Sequence, residues 1–359
     1  MNEKDDSVQA LRAAYRAMEA EARDYADPGR AVAVARRRGR ARIAVAGVCL
    51  AVVAMLAGAG LRLWPGEAPA VIAATPSSPV VITPPATAAP LPEAGTGQPG
   101  LMVYTPCMHG CPTYVALADG RQHLLGEKTA PPPGNLTLSP DGRWLGLPVA
   151  TGYELRDLVS GTVHQIAFPG RSDHGAVLSP WAWSADGRRL ILGHHASGDV
   201  LAYLEVDVNT GRTSVPAVPR GFEPLGLLVT GELLLFEESR YGKQATRVEL
   251  AVGGPERTIT LDGGATPLVT ADGGPSIQVR GDRFYAVAPD LTAVVEFDAT
   301  GREVRRLPLR SGEGPLGPLQ DGFAVQSGPV VEVRTPSGAR RLADLPETAL
   351  VVLPGMARH

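Results

Sequence analysis

From about residue 101 onward, apolar and polar residues alternate in short runs separated by recurring two-residue turns. The turns are Asp119-Gly120, Ser160-Gly161, Thr210-Gly211, Gly253-Gly254, Thr300-Gly301 and Ser337-Gly338. A period of two gives each run one face for a core, and glycine in the turn accepts the positive φ that tight hairpins need, so each pair predicts a β-hairpin. The second glycine of each pair recurs at steps of 37 to 50 residues, room for several strands per unit and the length of a propeller blade.

The strands can be assigned unit by unit. Leu101–Tyr104, Tyr114–Leu117 and Gln122–Leu125 form a first unit without an innermost strand. Leu136–Leu138, Trp144–Val149, Tyr153–Leu158 and Val163–Phe168 form the second, and Val177–Ser184, Arg189–His195, Leu201–Val208 and Arg212–Val218 the third. The next contains Leu225–Val229, Glu232–Glu237, Thr246–Leu250 and Arg257–Leu261. A less regular unit combines Pro267–Thr270, then Ser276–Val279 or Phe284–Val287, then Ala293–Asp298 and Glu303–Leu309. The last holds Phe323–Gln326, Val330–Arg334 and Arg340–Leu345, leaving Leu350–Leu353 unassigned. If that final strand supplies the first unit's missing inner strand, the ring closes without an open edge. The expectation is an all-β, six-bladed β-propeller over 101–356.

A different period rules the N-terminus. Val8, Leu11, Tyr15, Met18, Ala22 and Tyr25 recur every three or four residues, which predicts an amphipathic helix ending at Asp27-Pro28-Gly29. Such a stripe is either a solvated helix, marginal by itself, or a docking face for a partner's groove. Arg36, Arg37, Arg38, Arg40 and Arg42 follow, and then Ile43–Leu61 without a charge. Those 19 residues span roughly 28 Å as a helix, about one hydrocarbon core. Arg62 and Trp64 suit the far interface, and the arginine run before the span predicts a cytoplasmic N-terminus by the positive-inside rule. The long n-region, partly acidic, favours an uncleaved signal anchor over a cleaved signal peptide. The expected organisation is 1–42 cytoplasmic helix and arginine run, 43–63 transmembrane helix, 64–100 Pro/Ala/Thr-rich spacer, and propeller beyond.

Ser139-Pro140-Asp141-Gly142-Arg143 and its second copy, Ser184-Ala185-Asp186-Gly187-Arg188, resemble the blade signature of TolB-like and WD40-like propellers. The chain has no Trp-Asp dipeptide, so the likeness is to the blade turn and not to the β-transducin repeat. In organisation it is also similar to actinobacterial membrane proteins that accompany extracytoplasmic-function sigma factors. That resemblance implies a sigma factor as cytoplasmic partner and an extracytoplasmic protein or ligand for the propeller.

Composition narrows the chemistry. A net charge of −3 and a pI near 6.2 give no basis for nucleic-acid binding. The abundance of Ala, Gly, Pro and Arg suits a GC-rich bacterial gene. Cys107 and Cys111, outside the membrane by the topology above, are expected to form a disulfide; a soft-metal site with Met102, Met108 and His109 is the other reading. His164, His174, His194 and His195, with Asp173 and Asp199, match no zinc spacing and read as ordinary loop and strand-end residues. Trp181 and Trp183, two positions apart, are expected on one strand face as core. Gly312–Gly317 fits a Gly-x-Gly-x-x-Gly string, but without a strand-to-helix context it reads as a loop. There is no Gly-x-Ser-x-Gly elbow or Walker loop, and no metal or cofactor site is expected. The two functional classes that remain are a membrane-anchored binding or sensing module and a funnel enzyme, a lyase or glycan-active hydrolase with acid/base groups on the ring axis.

Overall fold

The computed structural model describes residues 80–357, apart from 86, 108–109, 127–134, 168–176, 197–198, 238–239, 271–272 and 347–348. The docking-helix residues Val8, Leu11, Tyr15, Met18 and Tyr25, the arginine run, the expected membrane span 43–63 and residues 64–79 of the expected spacer lie outside the described residues. Among the described residues no helix is long and apolar enough to cross a membrane.

The described chain folds into six antiparallel sheets, the blades of a β-propeller. Blade 2 runs outward as Thr137–Leu138, Trp144–Val149, Gly152–Asp157 and Val163–Ala167. Blade 3 follows as Val177–Trp183, Arg189–Ala196, Asp199–Asp207 and Arg212–Ser214. Blade 4 is Phe222–Leu227, Leu233–Glu237, Arg247–Val252 and Thr258–Asp262. Blade 5 is Ile277–Arg280, Arg283–Val287, Ala293–Phe297 and Glu303–Pro308. Blade 6 starts with Glu313–Pro318 and continues through Phe323–Ser327, Val330–Thr335 and Gly338–Asp344.

Blade 1 closes the ring as the strand count requires. Its inner strand is the C-terminal Leu350–Val352, followed by Gly100–Thr105, Thr113–Leu117 and Gln122–Gly126. Val103 pairs with Val352 and Thr105 with Leu350, antiparallel. The seam is apolar: Val103, Val352 and Leu353 are buried within one cluster that also holds Val331 and Val333 of blade 6. Closure therefore joins two distant parts of the chain by hydrogen bonds and by burial together.

A second fastening lies on the outside. Val80–Val81 pairs in parallel with Ala343 and Asp344, adding a fifth strand to blade 6. Leu91 then donates to Leu124 and Leu124 to Ala89, along the outer edge of blade 1. Thr96 reaches blade 2, its backbone N–H donating to the Leu158 carbonyl at 2.6 Å. The described residues of 80–99, expected as part of a spacer, thus form a strap over three blades. Ile82, buried in the core at 3 % exposure, explains the hold: the Val-Ile run in the Pro-rich stretch has an apolar surface to cover.

Two local expectations are corrected. Gly312–Gly317 is not a loop, since Glu313–Pro318 is the inner strand of blade 6. Its glycines and prolines are tolerated because an inner strand has a free edge towards the axis. Pro267–Thr270 is not a strand; the two expected alternatives, Ser276–Val279 and Phe284–Val287, both are, as the inner strand Ile277–Arg280 and the next one out, Arg283–Val287.

The two Ser-x-Asp-Gly-Arg turns are alike in detail. Ser139 Oγ donates to Asp141 Oδ1 and accepts from the Trp144 N–H at 2.8 Å. Ser184 Oγ likewise donates to Asp186 Oδ1 and accepts from the Arg189 N–H at 2.9 Å. The Asp carboxylate in turn accepts from the N–H two residues on, Arg143 or Arg188. This is an Asx-type turn that links the inner strand to the second one. Gly142 has φ of +70°, and a side chain there would also strike the Gly100 carbonyl, its Cβ lying 2.1 Å from that oxygen.

Candidate functional site

Three of the six inner strands, those of blades 3, 4 and 6, share an irregularity that alters what faces the axis. Where Val177–Trp183 pairs with its neighbour, Pro180 faces Leu192 and Ala182 faces Ile191, so Trp181 bulges out of the ladder. In blade 4 Leu225 bulges in the same way between Pro224 and Gly226, and in blade 6 Leu316 between Pro315 and Gly317. Proline, which has no N–H for the ladder, marks the skipped pairing, and the residue after it is released. Pro-Trp-Ala and two copies of Pro-Leu-Gly are thus one structural repeat. The small third residue has its own reason: a Cβ on Gly226 would come within 2.6 Å of the Val279 Cβ in blade 5. This signal was present in the sequence at Pro180, Pro224 and Pro315 but was obscured by the stronger Asp-Gly turns.

The bulge corrects the expectation that Trp181 and Trp183 share a face. Trp181 donates its indole N–H to the Pro224 carbonyl of blade 4 at 2.5 Å. Trp183 donates to Thr137 Oγ1 of blade 2 at 2.7 Å. Each ring belongs to a different interblade core, and both also border the axis.

Between these strands lies a cavity of about 430 Å³, within the size range of small-molecule sites. Trp181 and Trp183 form one side, and Leu225, Ile277 and Leu316 stand in the other walls. Met356, past the last strand, closes part of it. Its main-chain carbonyl accepts from Thr137 Oγ1, and its sulfur accepts from the Leu353 N–H at 3.3 Å. No Asp, Glu, His, Lys or Arg is among the described lining residues. Two polar residues are in the lining, Ser276 and Gln278 of blade 5. Ser276 Oγ and Gln278 Oε1 are buried and have no hydrogen-bond partner in the structure, a state that costs about 1–3 kcal/mol for each group.

Just outside the lining, Arg280 fastens one end of the axis. Its Nη1 donates to the carbonyls of Pro318 at 3.2 Å and Pro354 at 3.4 Å, tying blade 5 to blade 6 and to the C-terminal turn. Burial pulls this guanidinium below its ordinary value, with Tyr285 and Asp321 opposing the shift.

The remaining sequence candidates fall elsewhere. Cys107 and Cys111 are joined in a disulfide with Cα atoms 5.7 Å apart, at the turn after Gly100–Thr105. His164 is on the outer strand of blade 2, stacked on Trp144 with ring centroids 5.3 Å apart. His194 is buried on the second strand of blade 3, and next to it His195 Nε2 meets Ser179 Oγ at 2.7 Å. Asp173, His174, Met108, His109 and the Asp199 side chain lie outside the described residues. Among the described residues no group of three His, Cys, Asp or Glu side chains could hold a metal ion.

No family model matches the chain, and no curated protein matches it. Solved structures do. TolB from Acinetobacter baumannii is 15% identical over 60% of this chain, with a TM-score of 0.33, and the match spans 66% of TolB, just under two thirds. An uncharacterized protein from Listeria monocytogenes EGD-e is 9% identical over 73% of this chain and 86% of its own length, with a TM-score of 0.39. An auxiliary nutrient binding protein from Bacteroides thetaiotaomicron is 12% identical over 65% of this chain and 71% of its own length, with a TM-score of 0.33. Likeness of this degree concerns architecture alone. The described chain defines itself as a six-bladed β-propeller with an axial cavity whose described lining carries no charged side chain.

Proposed function

We propose that this protein is a membrane-anchored, extracytoplasmic binding propeller that holds a ligand in its axial cavity and relays occupancy through residues 1–42 to a cytoplasmic partner. The cavity is the observation that carries the binding reading: it is ligand-sized, lined by uncharged groups and bordered by two indoles. A funnel enzyme needs carboxylates or histidines converging on the axis, and the described lining contributes none.

The compartment is supported by the Cys107–Cys111 disulfide, a bond that persists outside the reducing cytosol. The uncharged Ile43–Leu61 run and the arginines before it support the anchor and its direction. By organisation, the partner class for Val8, Leu11, Tyr15, Met18 and Tyr25 is a sigma factor of the extracytoplasmic-function kind.

Two measurements test this. Protease added to intact protoplasts should digest the propeller and leave 1–42 protected; protection of the propeller would overturn the topology. The full chain in detergent should retain a cytoplasmic partner that a Leu11→Asp, Tyr15→Asp double variant releases. Equal retention by both would overturn the relay.

A further inference from the structure

The strap and the axial cavity lie at opposite edges of blade 1, yet one set of contacts joins them. Resting on the reading of the cavity as a binding site, we propose that the strap is its readout. The strap's hold on blades 6 and 1 is coupled, through Gln122 and Tyr104, to the order of the closing strand Leu350–Val352. Occupancy at the inner edge of the blade then sets how firmly the chain from the expected anchor is held at the outer edge.

The first connection is a hydrogen-bonded path across the blade. Gln122 Nε2 donates to the Thr83 carbonyl of the strap at 3.2 Å, and Gln122 Oε1 accepts from the Tyr104 hydroxyl at 2.5 Å. A main-chain carbonyl can only accept, so the orientation of the amide is determined by its partners. Tyr104 is fully buried, and its backbone pairs with Val351, which lines the cavity.

The second connection is packing. Ile82 of the strap, Ala343 of blade 6, and Val351, Val352 and Met356 of the C-terminal segment are buried in one apolar cluster, with Val80 and Leu91 packed against it. Val351 and Met356 belong to the cavity lining as well. Withdrawing Ile82 leaves a void in the same cluster that supports the closing strand, and a close-packed interior does not absorb such a void by smooth deformation. The closing strand is suited to respond: it is three residues long and joined to Gly100–Thr105 by three pairs. With so few backbone bonds, it can open locally without global unfolding.

The test is amide hydrogen exchange, read by mass spectrometry on the full chain in lipid nanodiscs without added ligand. Ile82→Ala loosens the strap from within the cluster. Peptides covering 80–97 and 350–353 should both exchange about tenfold faster than in wild type, while 222–262 of blade 4 stays unchanged. Coupling is reciprocal, so Val351→Ala, made at the cavity wall, should speed exchange in 80–97 by a similar factor. Tyr104→Phe removes only the hydroxyl bonded to Gln122; combined with it, the effect of Ile82→Ala on 350–353 should fall to less than about half. If Ile82→Ala does not fold, Ile82→Val gives the same comparison with a smaller change.

Faster exchange at 80–97 with wild-type exchange at 350–353 would overturn the coupling. So would acceleration spread evenly over all six blades, which would mean global loosening alone. An undiminished effect in combination with Tyr104→Phe would overturn the route through Gln122. None of these outcomes involves a ligand, so the reading of the cavity as a binding site is decided separately, by whether the purified chain carries an adduct.

Discussion

Trp181 and Trp183 stand two residues apart on one strand, yet they donate to opposite neighbours, Pro224 of blade 4 and Thr137 of blade 2. The bulge at Trp181 converts a period-two pair into a clamp across three blades. Trp183→Phe keeps the ring but leaves Thr137, which already donates to the Met356 carbonyl, without its own donor. The expected loss is about 1–2 kcal/mol in denaturant unfolding. Trp181→Phe should cost a similar amount, and the double variant should be close to additive because the partners are not shared. A loss beyond the sum would mean that the two indoles act as a unit.

Ring closure rests on few residues. Val352 is 1 % exposed and pairs with Val103, so Val352→Asp places a charge in the seam between the first and last blades. We expect a loss of about 3 kcal/mol or more, seen as a lower midpoint of thermal unfolding, with self-association as the inner edge of Gly100–Thr105 opens. Val81→Asp is the control: this strap residue is 69 % exposed and should change stability by less than about 0.5 kcal/mol.

Asp157 should shape the acid limb of stability. Burial alone would raise its carboxyl, but hydrogen bonds from Arg143, from the Ser160 hydroxyl and N–H, and from the Val159 N–H outweigh it and hold the group below the usual carboxylate range. A depressed folded value means stabilisation that is fully present above the unfolded value of about 4 and is lost as pH falls through the folded value. Asp157→Asn should therefore cost about 2 kcal/mol at neutral pH, and its unfolding curve should converge on wild type as pH drops below about 4. A difference that stayed constant to low pH would show that geometry, not charge, is responsible.

The disulfide closes a short loop, so the chain-entropy account assigns it only about 2 kcal/mol. Cys107→Ser with Cys111→Ser should fold and lose about that much. In protein isolated without reductant, alkylation should modify neither Cys107 nor Cys111; two modified thiols there would contradict the extracytoplasmic assignment.

The legibility of this fold follows from where each signal arises. Asp-Gly turns and period-two alternation are local, so blade number, most second and third strands and the closing role of Leu350–Val352 could be read directly. The inner strand of blade 6 was missed because a strand beside the axis has a free edge and accepts Gly and Pro, which in sequence look like loop residues, whereas in blade 5 Ser276–Val279 was read as a strand but placed second because Pro267–Thr270 took the inner place. The cavity was hidden for a related reason. Trp181, Leu225 and Leu316 reach the axis only because a proline displaces the register. The strap was obscured by its nine-proline neighbourhood, whose composition suggested a spacer although Ile82 had a core to enter.

The central claim is that the axial cavity holds a ligand, and native mass spectrometry of the full chain isolated from the host that makes it tests this most directly. Wild type should carry a noncovalent adduct of a small neutral molecule, released on activation, and Leu316→Trp prepared identically should appear at the polypeptide mass alone. The same adduct on both proteins, or on neither, would contradict the account.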